Sequence, residues 1–188
     1  MNTKSTSSGF SLLEIIIAIA IIAILVGVVS LRAGNAIGRG QASKLLQLVN
    51  SCEQAAAMHY TDTGQYPREY MVTQAANERH LSSTQTLPGW QGPYLERPLA
   101  ANDTNPFGDV RLYNNLAQGG WIAGFDSDGD GTADLTGTGC MLYFTGLPQE
   151  IAQALDKALD GGIPGTWSTT GRVVWQQGAN RTLVFVFK

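Results

Sequence analysis

The sequence predicts an α+β fold, a long N-terminal α-helix packed on a small antiparallel β-sheet head. Three observations carry that prediction. An apolar run from Phe10 to Leu31, broken by a single charge at Glu14, passes into a segment with helical periodicity that reaches about Tyr60. Short β-rich runs separated by glycine-rich turns follow in the C-terminal half. One compact amphipathic helix lies among them, opened by Pro148 and stopped by Gly161-Gly162. With 188 residues the chain suits one domain plus a helical tail. The expected divisions are a polar leader at 1–9, a long helix at 10–60 with its transmembrane part at 10–31, and a globular α+β head at 61–188.

Taken in order, the first element is the apolar run. At about 1.5 Å per residue it gives roughly 30 Å of helix, enough to span a bilayer. Glu14 argues against a plain anchor, because a carboxylate near the centre of a membrane segment costs about 2.5–3.5 kcal/mol and an anchor gains nothing from it. Beyond the run the helix turns amphipathic. Leu45, Leu48 or Val49, Cys52, Ala55 or Ala56, and His59 recur at steps of three and four, so this half should pack on the head. Gly34, Gly38 and Gly40 mark the junction, where each glycine costs about 1 kcal/mol against alanine. They predict a hinge in preference to a Gly-x-x-x-Gly pairing face. Thr63-Gly64-Gln65-Tyr66-Pro67 ends the helix. A short helix is expected within 68–86, then a loop rich in proline and glycine. Strands are expected at Val110–Tyr113, Trp121–Phe125 and Met141–Thr145. After the short helix, whose stripe is Ile151, Leu155 and Leu159, a hairpin pairs Arg172–Trp175 with Thr182–Phe187 through a turn at Gly178 and Asn180.

The leader has an unusual relation to the apolar run. An ordinary secretory signal is cut after its apolar stretch, at an A-x-A-like site. Here the nearest small-x-small triplet, Gly34-Asn35-Ala36, lies beyond Arg32, whereas Gly9-Phe10-Ser11-Leu12-Leu13-Glu14 sits ahead of the greasy segment. This resembles the prepilin class-III signal of type IV pilins and pseudopilins. The resemblance implies cleavage between Gly9 and Phe10 by a prepilin peptidase, N-methylation of Phe10, and retention of the apolar helix. It also implies that Glu14, then the fifth residue, neutralises the amino terminus of Phe10 in a neighbouring subunit. At ~4 Å and an effective dielectric near 20 such a pair is worth about 4 kcal/mol before desolvation.

A narrower resemblance lies in the head. Tyr66-Pro67, Trp90-Gln91-Gly92-Pro93-Tyr94-Leu95, Pro98 and Asn105-Pro106-Phe107-Gly108 look like the loop of the G-type major pseudopilins of type II secretion. That family has Asp and Trp where Asn105 and Phe107 stand, and this chain is longer beyond Cys140. The implied function is a structural subunit of a type II secretion pseudopilus, driving protein secretion across the outer membrane. A type IV pilin, major or minor, serving adhesion, twitching motility or DNA uptake is the other reading of the same leader. A membrane-anchored calcium-dependent binding module, which would keep its leader and stay monomeric, is the alternative of a different class. The leader implies a single-pass protein of the bacterial inner membrane with its head in the periplasm. The assembled filament would lie in the periplasm or at the cell surface. Its expected partners are other pilins or pseudopilins, the prepilin peptidase and the inner-membrane assembly platform. Arg32, Arg39 and Lys44 outnumber Lys4, so charge counting alone does not orient the span.

A second motif carries chemistry. Asp126-Ser127-Asp128-Gly129-Asp130-Gly131-Thr132-Ala133-Asp134 places carboxylates at positions 1, 3, 5 and 9 of an EF-type loop. Gly131 supplies the turn at position 6 and Thr132 offers its carbonyl at 7. Position 12 is Gly137, so the bidentate glutamate of an EF-hand is missing. A short calcium loop between two strands is expected, of modest affinity near 10⁻⁴–10⁻³ M, with Ca2+ as the cofactor; the pseudopilin resemblance also implies calcium here. A solvated acidic turn is the plainer reading. In the oxidising compartment that the leader implies, Cys52 and Cys140 are expected to form a disulfide worth ~4–5 kcal/mol, with two buried thiols as the alternative. No catalytic site is expected: His59 falls on the packed stripe and His80 in a polar segment, and neither has a nucleophile or metal-ligand partner at useful spacing. The net charge is −3. Arg68, Arg79, Arg97 and Arg111 are offset by Glu69, Glu78, Glu96 and Asp109, so no nucleic-acid surface is expected.

Overall fold

Helix α1 runs Leu12–Thr63 and is continuous through Gly34, Gly38 and Gly40. It stops where the sequence places the stop, with Gly64 in the left-handed region at φ 69° and its N–H donating to the Tyr60 carbonyl at 2.8 Å. The structure is a computed structural model that describes residues 12–70, 74–100, 103–161, 163 and 165–188, with the side chains of 27–39 outside the description. The expected cleavage site, Gly9 and Phe10, therefore lies outside the described residues. The chain divides into two compact units, Met1–Gly38 and Arg39–Lys188.

In the first unit every described side chain from Leu12 to Val26 is exposed, Leu12 by 78% and Ile24 by 68%. Among the described residues no helix is long and apolar enough to cross a membrane. The remainder of the apolar run, 27–31, falls among the side chains that are not described, so the expected span at 10–31 is a property of the sequence.

The second unit holds a four-stranded antiparallel sheet. Strands β1 (Val110–Asn115), β2 (Thr138–Thr145), β3 (Val173–Gln176) and β4 (Arg181–Phe187) are ordered β1-β2-β4-β3. Helix α2 (Gln149–Asp160) connects β2 to the edge strand β3, with Pro148 at its N-cap. The β3–β4 hairpin turns through Gly178 and Asn180, the latter left-handed at φ 49°.

Alternation along the strands decides what each face of the sheet touches. Leu112, Leu142, Phe144, Val184 and Val186 join Leu45, Val49, Cys52, Ala55 and Ala56 of α1 and Ile151 and Leu155 of α2 in one buried cluster. Full burial of each Leu or Val stabilises by about 1.5–3 kcal/mol, so this one stripe holds the second half of α1 to the head. Tyr113, Met141, Leu183 and Val174 point to the opposite face and pack with Phe125 under Trp121, Ile122 and Leu135.

That second cluster corrects one expectation. Trp121–Phe125 is not a strand; its apolar residues cover the outer face of the sheet, and only Phe125 pairs, through an isolated bridge to Leu135. The short helix expected within 68–86 reduces, among the described residues, to a 3₁₀ turn at Ala76–Glu78. The segment is instead organised by Glu69, whose fully buried carboxylate accepts from the N–H groups of Leu81 at 2.8 Å and Ser82 at 3.3 Å, and from the Ser82 hydroxyl. Those bonds fix a coil that a helix would have left without its anchor.

Candidate metal centre and assembly motif

The acidic loop is closed by backbone before any carboxylate is placed. Phe125 N–H donates to the Leu135 carbonyl at 2.9 Å, and Leu135 and Asp134 N–H groups donate to the Phe125 carbonyl at 3.0 and 2.9 Å. Gly124 fits because a Cβ there would meet the Leu135 carbonyl. Gly129 and Gly131 adopt φ of 83° and 89°, the left-handed region that lets the chain fold back within a few residues. The loop does not lie between two strands as expected, because the segment before it is coil.

Within this frame Asp126, Asp128 and Asp130 each bring a carboxylate oxygen within 4.8 Å of the others. Asp126 is the buried member, 8% exposed, and its two oxygens accept from Gly129 N–H at 2.7 Å and Gly131 N–H at 2.9 Å. Asp128 and Asp130 accept from the N–H groups of Asp130 and Thr132 at 3.1 and 2.7 Å. These bonds fix the carboxylates so that free lone pairs converge, an all-oxygen donor set suited to a hard cation. Asp134 stands apart from the trio. Its Oδ2 accepts from both the N–H and the hydroxyl of Ser127, each at 2.8 Å, and these bonds hold its carboxyl below the usual range. Thr132 N–H donates to Asp130, and its carbonyl oxygen is one of the groups it can offer to a cation. A cavity of about 450 Å³ opens beside Asp126 and Asp130, walled on its far side by Thr166, Thr169 and Thr170. Gly171 N–H ties that wall to the Asp126 carbonyl at 2.6 Å.

The two cysteines are free thiols, both fully buried in the cluster between α1 and the sheet. This replaces the expected disulfide. Cys140 donates its S–H to the Pro67 carbonyl at 3.6 Å. Burial pushes the Cys140 thiol up to about 12; burial first, and then the nearby Glu69 and Cys140, push Cys52 higher still.

The loop that resembles the pseudopilin segment straps the end of α1. Tyr94 donates its hydroxyl to Asp62 at 2.8 Å and accepts from Gln91 N–H at 2.9 Å, while Trp90 donates its indole N–H to the His80 carbonyl at 2.9 Å. His59, fully buried as its stripe position predicts, sits edge-on to Tyr94 and stacks on His80 with ring centroids 5.7 Å apart. Burial lowers both imidazoles, His80 to about 4 with help from Arg68. Sequence reasoning placed His59 correctly and missed the stack, since nothing in the spacing of residues 59 and 80 announces it. Arg68 pairs with Glu78 at 2.9 Å and Arg111 with Asp109 at 3.1 Å, as the offset charges suggested.

Residues 4–30 match the family model of the prokaryotic N-terminal methylation motif. The matched stretch contains Gly9, Phe10 and Glu14 and supports the type IV pilin and pseudopilin class. This motif is what a prepilin peptidase recognises, and it is typical of subunits that assemble into filaments. No curated protein and no solved structure matches the chain.

Proposed function

We propose that this chain is a non-enzymatic structural subunit of a type II secretion pseudopilus, assembling through its N-terminal helix to drive protein secretion across the outer membrane. The observation that carries the reading is the methylation motif over residues 4–30 with Glu14 inside it. Cleavage after Gly9 would leave Phe10 as a methylated terminus. Residues 10–31 would hold the subunit in the inner membrane, with the head at 61–188 in the periplasm, until the assembly platform extracts it. The exposed apolar side chains Leu12–Val26 fit that path, because a contiguous apolar surface needs cover, from lipid first and then from neighbouring helices. The choice of a secretion pseudopilus over a type IV pilus is supported by the resemblance of the Trp90–Leu95 and Asn105–Gly108 loop, in which Tyr94 bonds Asp62 and sits edge-on to His59 at the end of α1. Calcium at Asp126, Asp128 and Asp130, with the Thr132 carbonyl, would neutralise the converging carboxylates and order the loop.

Glu14→Ala tests the assembly role. The substitution removes a carboxylate but no group of the head, so the mutant should accumulate and unfold like the wild type while filaments fail to form or lose order. Filaments of normal yield and order from the mutant would remove the proposed charge pair.

A further inference from the structure

Two imidazoles, the only two in the chain, stack where the strap crosses the end of α1. His59 comes from the helix and is fully buried; His80 comes from the turn that leads into the strap and is half-buried. Their ring planes lie 22° from parallel, and Tyr94 closes on His59 edge-on at 5.5 Å. The Gln65 carbonyl lies 3.0 Å from His59 Nδ1, so that nitrogen carries the ring hydrogen. Thr63 Oγ1, 3.2 Å from the same nitrogen, gives its own hydrogen to the His59 carbonyl at 2.7 Å. Nε2 of His59 is therefore a bare acceptor, buried without a hydrogen-bond partner, and Nδ1 of His80 is also buried without one.

The groups around the pair favour two neutral rings. Asp62, on the same helix, faces His59 but gives an oxygen to the Tyr94 hydroxyl at 2.8 Å. Arg68 faces His80 from the segment before it, while its own ion pair is made with Glu78. Glu69, beside Arg68, spends its carboxylate on Leu81 and Ser82. The Asn77 backbone favours a charged His80 and is outweighed. Burial first, and then Arg68 and His59, bring His80 down to about 4; burial lowers His59 as well. A proton on either bare nitrogen would be a buried charged donor without an acceptor, and protons on both would set like charges ring to ring.

We propose that the His59–His80 stack is an acid-released clasp: proton uptake by the pair frees residues 90–95 from the end of α1, while the four-stranded sheet stays formed. In the open strap each imidazole takes a proton near its ordinary value of 6.5, and in the closed one only at lower pH. Opening therefore binds protons. The clasp holds fully above about pH 6.5, and its hold is lost as pH falls towards about 4. Glu69 acts in the other sense, because burial raises its carboxyl, so its protonation does not loosen the strap. Four amides report the state of the strap. Tyr94 and Leu95 N–H donate to the Leu81 carbonyl at 2.7 and 2.9 Å, Trp90 N–H to the Leu87 carbonyl at 3.1 Å, and Gln91 N–H to the Tyr94 hydroxyl at 2.9 Å. The β2–β4 ladder reports the sheet. The clasp uses no residue of the methylation motif or of the acidic loop, so it stands apart from both readings.

Amide hydrogen exchange of the full-length protein in detergent tests this at about pH 7 and pH 5, corrected for the intrinsic pH dependence of exchange, in wild type and His80→Phe. Phenylalanine keeps a ring against His59 and takes no proton. From the higher pH to the lower, the opening constant of residues 90–95 should rise about twentyfold through His80 alone, and further through His59. The β2–β4 amides should keep their protection. In His80→Phe the rise should shrink by about that same factor. Ring signals of the wild type carry the test if the variant does not fold, since two histidines give two assignable resonances. Both should titrate below 6.5, in step with the exchange of 90–95. Strap protection unchanged at the lower pH, a rise as large in His80→Phe as in wild type, or rings that titrate near 6.5 with the strap closed would each overturn the clasp.

Discussion

Asn105 is fully buried, and two of its side chain's three hydrogen bonds are ones that an aspartate could not make. The amide Nδ2 donates to the carbonyls of Asp109 at 2.9 Å and Thr145 at 3.0 Å, while Oδ1 accepts from Phe107 N–H at 3.1 Å. Where the pseudopilin loop carries Asp, this chain needs a donor to join the loop to the end of β2. Asn105→Asp should therefore destabilise the head by about 3 kcal/mol, the cost of two lost donors and a carboxylate facing two carbonyls. Urea unfolding of the full-length protein in detergent reads this directly, and an unchanged midpoint would mean the loop is held by other groups. The position stood out in the sequence only as a departure; its reason needed Thr145, 40 residues away. Glu69 is the same lesson in reverse. Beside Arg68 it reads as half of a surface charge pair, yet the fold buries it and spends it on Leu81 and Ser82. Single-residue chemistry was legible where it depended on neighbours in sequence, as at Gly64 or Pro148, and hidden where the partner was remote.

At the scale of elements, pattern located α1, α2, β1, β2 and the β3–β4 hairpin to within a few residues, because the packed half of α1 and α2 carry apolar stripes at helical spacing and the strands are short apolar runs set apart by turn residues. Trp121–Phe125 misled because an apolar run marks burial without saying whether the backbone pairs. Here the backbone is coil and the side chains roof the sheet. The acidic loop brings Asp126, Asp128 and Asp130 together, as their spacing suggests, while Asp134 turns to Ser127 and away from the trio and the segment before the loop is coil. Calcium there should be felt as stability. With free calcium about tenfold above the dissociation constant, linkage gives roughly 1.4 kcal/mol, a few degrees in melting temperature for a head of this size. Asp128→Ala with Asp130→Ala should abolish the part of the calcium response that belongs to the loop. In chelator the variant should melt no lower than the wild type, since repulsion among the three carboxylates is also removed. Equal melting temperatures for the wild type in millimolar calcium and in chelator would make the loop a solvated turn.

At the scale of the whole molecule, the two units answer different demands. Arg39–Lys188 carries a core with both faces of its sheet covered. Met1–Gly38 carries the methylation motif and an apolar surface, Leu12–Val26, that the chain itself leaves exposed. The proposed assembly accounts for a surface of that kind: the leader would be removed, Phe10 would become the terminus, and Glu14 would meet it from a neighbouring subunit. Glycine at position 9 leaves the peptidase unobstructed, so Gly9→Val should accumulate the longer precursor. The most direct measurement is the intact mass and N-terminal sequence of the protein purified from its native membrane. A chain beginning at N-methylated Phe10 is the predicted result, and a chain that still begins at Met1 would contradict the account.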